Sequence, residues 1–131
     1  MIVLVDTTVW IDFFAGQSLP HVAKLVNLIE DKEDICICGI ILAEVLQGIR
    51  KDNEYRKTRD LFKTLLFLPM PYSVFLRSAE IYRKLRKKGI TIRKPLDCMI
   101  AATAIENDLP LLHNDKDFLP IAEHSGLKVF S

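Results

Sequence analysis

Four acidic residues of this 131-residue chain stand where a carboxylate is unusual, and two of them follow short apolar runs. Asp6 comes directly after residues 2–5, and Asp115 comes shortly after residues 111–113. If both runs are strands, both acids lie at the carboxyl ends of strands, where ligands bind in open α/β sheets. The same position is equally suited to a simpler role, in which Asp6 or Thr7 only caps the helix that follows.

The other two acids lie in segments with helical periodicity and share apolar faces. Glu44 is the only charged residue from Gly39 to Ile49, and Asp97 has apolar residues three and four positions later. A buried unpaired carboxylate needs a cation or a raised pKa. Two simpler explanations stay open. Glu44 can lie on a narrow polar strip beside Gln47, and the helix dipole can favour an acid in the first turn, as at Asp97.

Together the four acids predict a carboxylate cluster at one edge of a sheet. Two carboxylates about 5 Å apart repel by roughly 3 kcal/mol at an effective dielectric of about 20, so several of them need a cation between them. Oxygen ligands without a supporting Cys or His favour Mg²⁺ or Mn²⁺ over Zn²⁺. Such a cluster is suited to phosphodiester hydrolysis, in which the ion activates water and neutralises developing charge. It could hold one ion or two.

The elements that would position these acids are those of one α/β domain over residues 1–131. Short apolar runs alternate with longer helical patterns, which predicts a mostly parallel sheet of about five strands with helices on both faces. The predicted strands are residues 2–5, 35–38, 65–68, 111–113 and 128–130. We expect Asn53 and Asp117 to cap the helices that they begin, and a long helix after Ser73 to end in cations before Gly89.

Composition excludes several classes of protein. The net charge of +1 argues against a polycationic nucleic-acid coat, and 50% apolar residues argue against disorder. We expect no secretory signal, since only five apolar residues precede the first acid. The longest uncharged stretch, residues 64–76, is too short to span a bilayer and contains two prolines. Three cysteines cannot all pair, so we predict buried thiols and a soluble cytoplasmic protein.

Four segments around these acids resemble the motifs of PIN-domain ribonucleases. They are residues 4–12 (LVDTTVWID), 42–45 (LAEV), 96–104 (LDCMIAATA) and 113–118 (HNDKDF). The similarity runs in the family's order from residue 1 to about residue 120. Each motif alone is weak, whereas the ordered set is specific. More narrowly, the chain is similar to the VapC-type toxins of toxin–antitoxin pairs.

The resemblance implies a metal-dependent endoribonuclease that forms a homodimer and is held by a VapB-like antitoxin. It assigns catalysis and the binding of Mg²⁺ or Mn²⁺ to the four acids Asp6, Glu44, Asp97 and Asp115. Thr8, Asn114 and Asp117 would support them, Asp117 either through water or by holding its loop. His113 departs from the family pattern, which often has a hydroxyl residue there, and we do not expect it to act as a general base.

The resemblance also gives a use to the basic run of residues 83–94, in which seven of twelve residues are Lys or Arg. Solvated cations at a helix end explain part of it. Because the run approaches Asp97, we also predict contacts with RNA phosphates. The predicted contact residues are Arg83, Arg86, Lys87, Arg93 and Lys94. A second and weaker candidate is the stretch of Arg50, Lys51, Arg56, Lys57 and Arg59.

Other functions remain as alternatives. One is a PIN nuclease of RNA processing without an antitoxin, and another is a non-catalytic module that binds RNA or a partner. A receiver domain would need an acid at the end of its central strand, and residues 65–71 contain none. No GxGxxG motif follows the first strand, which excludes a dinucleotide site. Trp10, Phe13 and Phe14 are expected in the core, or else in a groove for a partner helix.

Overall fold

Four parallel strands form the central sheet, in the order β3-β2-β1-β4, in a computed structural model that describes all 131 residues. The strands are β1 (Ile2–Val5), β2 (Asp34–Cys38), β3 (Leu66–Leu68) and β4 (Leu111–Leu112). The helices are α1 (Thr7–Phe14), α2 (Pro20–Glu30), α3 (Gly39–Gln47), α4 (Asp52–Phe62), α5 (Tyr72–Lys87), α6 (Pro95–Glu106) and α7 (Phe118–Ser125). None of these helices combines the length and the apolar character needed to cross a membrane.

The two central strands are buried on both faces, as their continuous apolar sequences predict. Every side chain from Val3 to Val5 and from Ile35 to Cys38 is buried, although successive side chains of a strand point to opposite faces. β1 pairs with β2 on one side and with β4 on the other. The carboxyl ends of β1 and β4 therefore lie side by side.

The cysteines act as small apolar residues, which confirms the prediction of buried thiols. Cys36, Cys38 and Cys98 are all free and buried. Burial raises the pKa of Cys36 to about 12 and that of Cys98 to about 11. Because the thiolate is the reactive form, these groups are chemically inert at neutral pH.

The prediction of about five strands was wrong by one, because residues 128–130 do not form a strand. Val129 makes a single parallel bridge to Leu111. Leu111 donates its N–H to the carbonyl of Lys128 and accepts the N–H of Phe130, both at 2.9 Å. β4 is only two residues long, so it offers a neighbouring strand too little edge for a longer ladder.

Two predicted helix starts differ from the structure. Asn53 is not a cap, since α4 already begins at Asp52 and its N-cap residue, Lys51, makes no side-chain capping bond. Asp52 and Glu54 lie in the first turn of α4, where the helix dipole favours acidic groups. α5 begins at Tyr72, one residue before Ser73.

Helix α6 is buried through most of its length, and its small side chains make this possible. The residues from Ile100 to Ala104 are all buried. α6 packs against α5, α7 and α3, which surround it. Alanines permit these close approaches, and they fix the first turn of α6, with Asp97, near the edge of the sheet.

We expect Ala102→Leu to lower the free energy of unfolding by about 1–3 kcal/mol, because a larger side chain overpacks a position that is fully buried. Ala79→Leu on α5 is the matched control, since Ala79 is exposed. Urea unfolding of both variants measures the difference. Equal stability of the two variants would show that α6 is not closely packed.

Candidate active site

Asp6 joins the end of β1 to the start of α1, so it lies both at the carboxyl end of a strand and at the N-cap of the following helix. It is the N-cap residue of α1, and its Oδ2 accepts the backbone N–H of Thr8 at 3.1 Å. Its own N–H donates to the carbonyl of Leu112 at 2.9 Å, beside the end of β4. Asp6 is only 2% exposed. Burial raises the pKa of its carboxyl group, and the charge of Glu44 contributes to that rise.

Thr8 connects Asp6 to the loop that follows β4. Its hydroxyl donates to Oδ2 of Asp6 at 2.6 Å. The same hydroxyl oxygen accepts the backbone N–H of Asn114 at 3.1 Å. Thr8 therefore holds the Asp6 carboxylate and the β4–α7 loop in one arrangement. Asn114, which we expected as a supporting residue, makes this contact through its backbone.

Asp97 lies in the first turn of α6 and carries a second carboxyl group whose pKa is raised. The residue is 6% exposed, and its Oδ2 is buried without a hydrogen-bond partner. Burial, with the charges of Asp6 and Asp115, raises the pKa of this group to about 7. A buried oxygen without a donor is a costly feature that calls for a functional explanation.

Three carboxylates converge beyond the carboxyl end of β4. One oxygen from each of Asp97, Asp115 and Asp117 lies within 4.8 Å of the other two, and we call this group the carboxylate triad. Asp115 also accepts the backbone N–H of Asp117 through Oδ1 at 2.9 Å. Asp117 precedes α7 at the N-cap position but makes no side-chain capping bond. The expectation that Asp117 caps this helix was therefore wrong, because its carboxylate is directed elsewhere.

Glu44 lies on α3, partly buried, and does not belong to the carboxylate triad. Its Oε1 accepts the hydroxyl of Thr7 at 2.8 Å. Its charge contributes to the raised pKa of Asp6. The charge of Asp6 in turn raises the pKa of Asp97, so Asp6 interacts electrostatically with both of the predicted acids that lie on helices. Sequence reasoning missed the contact from Thr7, whose only signal was its position next to Asp6.

His113 is held as a neutral ring. Its Nδ1 accepts the backbone N–H of Asp115 at 3.2 Å, so the ring proton is assigned to Nε2. Burial lowers the pKa of the imidazole. The ring packs against Phe118 with 4.9 Å between centroids, and Nε2 is buried without a partner. This arrangement gives His113 a structural contact with the loop and no free basic nitrogen facing solvent.

The predicted RNA-binding residues divide into two groups. Arg93 and Lys94 reach the triad, with Arg93 Nε 3.2 Å from Asp117 Oδ2 and Lys94 Nζ 3.8 Å from Asp115 Oδ2. The others lie on the exposed last turns of α5 and form no ion pair with the acids of the site. They are Arg83, Arg86 and Lys87. The weaker basic stretch lies on α4 and the residues before it, with Arg59 paired to Asp60 on the same helix.

The arrangement of oxygen atoms fits a hard divalent cation. The triad and its neighbours supply only carboxylates and hydroxyls, and no cysteine or histidine nitrogen contributes. The unpartnered Oδ2 of Asp97 is an acceptor that a cation would satisfy. Of the four ligands that the sequence predicted for Mg²⁺ or Mn²⁺, Asp97 and Asp115 belong to this group, together with Asp117, whereas Asp6 and Glu44 do not.

Known proteins resemble the chain in sequence along nearly its whole length. The PIN domain family model matches residues 3–124. The VapC ribonuclease Mb1587 of Mycobacterium bovis is 34% identical over 131 residues, covering 98% of both chains. Ribonuclease VapC11 of Mycobacterium tuberculosis has the same identity and coverage. Ribonuclease VapC1 of Methanocaldococcus jannaschii is 29% identical, over 98% of this chain and 86% of that relative.

Solved structures resemble the chain in fold. The crystal structure of VapBC2 from Rickettsia felis, bound to a DNA fragment from their promoter, superposes with a TM-score of 0.79 at 22% identity. That match covers 99% of this chain and 98% of the other. VapBC-1 from nontypeable Haemophilus influenzae gives a TM-score of 0.76 at 22% identity, over 100% and 98% of the two chains.

The raised pKa of Asp97 predicts a variant that is more stable than the parent. In the fold this carboxyl titrates near pH 7, whereas its value in an unfolded chain is about 4. The folded protein keeps a proton that the unfolded chain releases, so the stability from this group falls as pH rises from about 4 to about 7. Asp97→Asn removes that loss. In buffer with EDTA it should raise the melting temperature at pH 8 by roughly 5 °C.

The rise in melting temperature caused by Asp97→Asn should be smaller at pH 5, where Asp97 is protonated in the folded protein. Asp60→Asn, at an exposed acid on α4, controls for the loss of one charge and should show neither effect. Thermal melting by circular dichroism at both pH values measures the shifts. A lower melting temperature for Asp97→Asn at pH 8 would contradict the argument.

Proposed function

Since the chain belongs to the VapC ribonucleases of the PIN-domain family, we propose that it is a metal-dependent endoribonuclease and the toxin of a toxin–antitoxin pair. The observation that carries the proposal is the carboxylate triad, in which Asp97 has a buried oxygen without a hydrogen-bond partner. Three carboxylates this close repel one another strongly unless a cation lies between them. A module that only binds RNA gains nothing from such a group.

The residues that would hold the ion, Mg²⁺ or Mn²⁺, are those of the triad together with Asp6 and Glu44. Asp97 and Asp115 are common to the predicted set and to the triad. A divalent ion bound there would activate water for attack on the phosphodiester and would neutralise the charge that develops on the phosphate. The charge of Asp6 acts on Asp97, and that of Glu44 acts on Asp6, so both add negative charge that favours a dication over a monovalent ion.

The chain's own side chains set the geometry of the acids. Thr8 fixes the carboxylate of Asp6 by a hydrogen bond of 2.6 Å. Thr7 fixes that of Glu44 at 2.8 Å. Since the carboxylates are fixed before any ligand binds, little ordering cost is paid on binding. Cations at the rim of the site, Arg93 and Lys94, would contact the phosphates of RNA and orient the strand.

The proposed protein partner is a VapB-like antitoxin. A surface pocket of about 340 Å³ lies between α1 and α4 and includes Phe14 and Leu61 in its lining. Beside it, Trp10 is buried and packs against Phe62 with 5.0 Å between ring centroids. Trp10 thus belongs to the core, as predicted, while Phe14 is partly exposed. An amphipathic antitoxin helix would fit this surface. We further propose a homodimer in the cytoplasm, as the family resemblance implies.

Asp97→Asn and Asp6→Asn should each lower RNA cleavage by about a hundredfold or more, because each removes charge that the bound ion requires. The measurement is cleavage of total RNA by the purified chain with Mg²⁺, with Mn²⁺ or with EDTA. Only the two divalent ions should support cutting.

Asp60→Asn is the matched control and should cut as the parent does, since Asp60 lies on α4 and pairs with Arg59. Cleavage by Asp97→Asn at the parental rate would refute the assignment of the site. Parental activity in EDTA would refute the metal requirement.

A further inference from the structure

The segment that joins α5 to α6 places two cations on two acids of the carboxylate triad. Arg93 contacts Asp117, and Lys94 contacts Asp115, through the Oδ2 atom of each carboxylate. The two partners of each pair differ in their surroundings. The side chains of Asp115 and Asp117 are 10% and 15% exposed, whereas those of Arg93 and Lys94 are 67% and 56% exposed.

Hydrogen bonds hold the loop that carries the acids, whereas the exposed side chains of the cations contact these acids only through their charged groups. Asp115 accepts the N–H of Asp117, and Asn114 is tied to Thr8, so the loop that carries both acids is fixed by hydrogen bonds. Lys94 is the N-cap residue of α6, and Pro95 follows it at the first helical position, so its backbone is also fixed. Its four-carbon side chain remains free to leave the carboxylate. Exposed ion pairs of this kind contribute little and break readily.

A divalent ion and these two side chains compete for the same carboxylates. A dication bound by the triad would lie within a few ångströms of the tips of Arg93 and Lys94, and like charges at that distance repel. The exposed side chains can move away, whereas the partly buried acids lie in a loop that hydrogen bonds hold in place. Cations that leave the acids remain at the rim of the site, where a phosphate backbone would pass.

We propose that Arg93 and Lys94 are internal counter-cations of the carboxylate triad, which a divalent ion displaces and which then contact the phosphates of bound RNA. This deepens the proposed function and rests on it. Binding of the metal ion and binding of RNA are therefore coupled, because the ion releases the cations that would contact the RNA phosphates. Binding of the ion and binding of RNA should therefore reinforce each other.

The proposal predicts effects of opposite sign from one substitution. Lys94→Gln removes a competitor of the ion, so the affinity for Mn²⁺ should rise by roughly two- to tenfold. The same variant should bind RNA more weakly. A residue that only positions Asp115 would lower the affinity for Mn²⁺ when it is replaced, and a residue that only contacts RNA would leave that affinity unchanged.

The first measurement is calorimetric titration of the purified full chain with Mn²⁺. Arg93→Gln should behave like Lys94→Gln, while Lys94→Arg keeps the charge and should bind Mn²⁺ like the parent. Lys88→Gln is the matched control, because Lys88 belongs to the same basic run and forms no ion pair. It should leave the affinity for Mn²⁺ within about twofold. Circular dichroism checks that each variant is folded.

The second measurement is fluorescence anisotropy of a short single-stranded RNA, with Ca²⁺ as the divalent ion so that binding is followed without catalysis. Adding Ca²⁺ should increase the affinity of the parent for RNA by some factor. In the double variant with Arg93→Gln and Lys94→Gln, this factor should be smaller. The same factor in both proteins would overturn the coupling.

Failure of this inference can be distinguished from failure of the proposed function. If the parent binds no Mn²⁺ at roughly millimolar concentration, the metal-dependent nuclease and the counter-cation role are both wrong. If the parent binds Mn²⁺ and cuts RNA, but Lys94→Gln binds Mn²⁺ equally or more weakly, only the counter-cation role is overturned.

Discussion

Repulsion among buried carboxylates is the constraint on which the rest of this structure depends. Asp6 and Asp97 are nearly inaccessible to water, and burial together with the charges of neighbouring carboxylates raises the pKa of both. Such a site opposes folding, so the surrounding structure must hold it in place. Hydrogen bonds from Thr7 and Thr8 fix two of the acids. The continuous apolar strands and the closely packed α6 supply the stability that the site itself lacks.

The fold brings the acids together through the parallel order of its strands. Because β4 lies beside β1 in parallel, Asp6 and the loop containing Asp115 leave the sheet at the same edge. α6 then adds Asp97 from above that edge, which is possible because its buried residues are small. An antiparallel β4 would carry its following loop to the opposite edge. The topology, more than any single contact, therefore creates the site.

Features that depend on local pattern could be predicted from the sequence. The two central strands are runs of buried apolar residues, and Asp6 and Asp97 stand out because each is an acid in apolar company. Features that depend on contacts between residues far apart in the sequence could not be predicted. Residues 128–130 have the composition of a strand, yet the two-residue β4 offers them one pairing position. The direction of the Asp117 carboxylate depends on Arg93 and on the loop that Thr8 holds. The residues next to Asp117 in the sequence do not indicate either contact.

A nuclease with an acidic site must attract two ligands of opposite charge at one place. The carboxylates that favour a divalent cation also repel the phosphates of RNA, and the net charge of +1 is too small to offset this from a distance. At about 0.1 M ionic strength, exposed charges more than about 10 Å away are largely screened. The compensating cations must therefore lie at the acids themselves. Arg93 and Lys94 meet that requirement at 3.2 and 3.8 Å, on the solvent side of carboxylates that are otherwise enclosed by the protein.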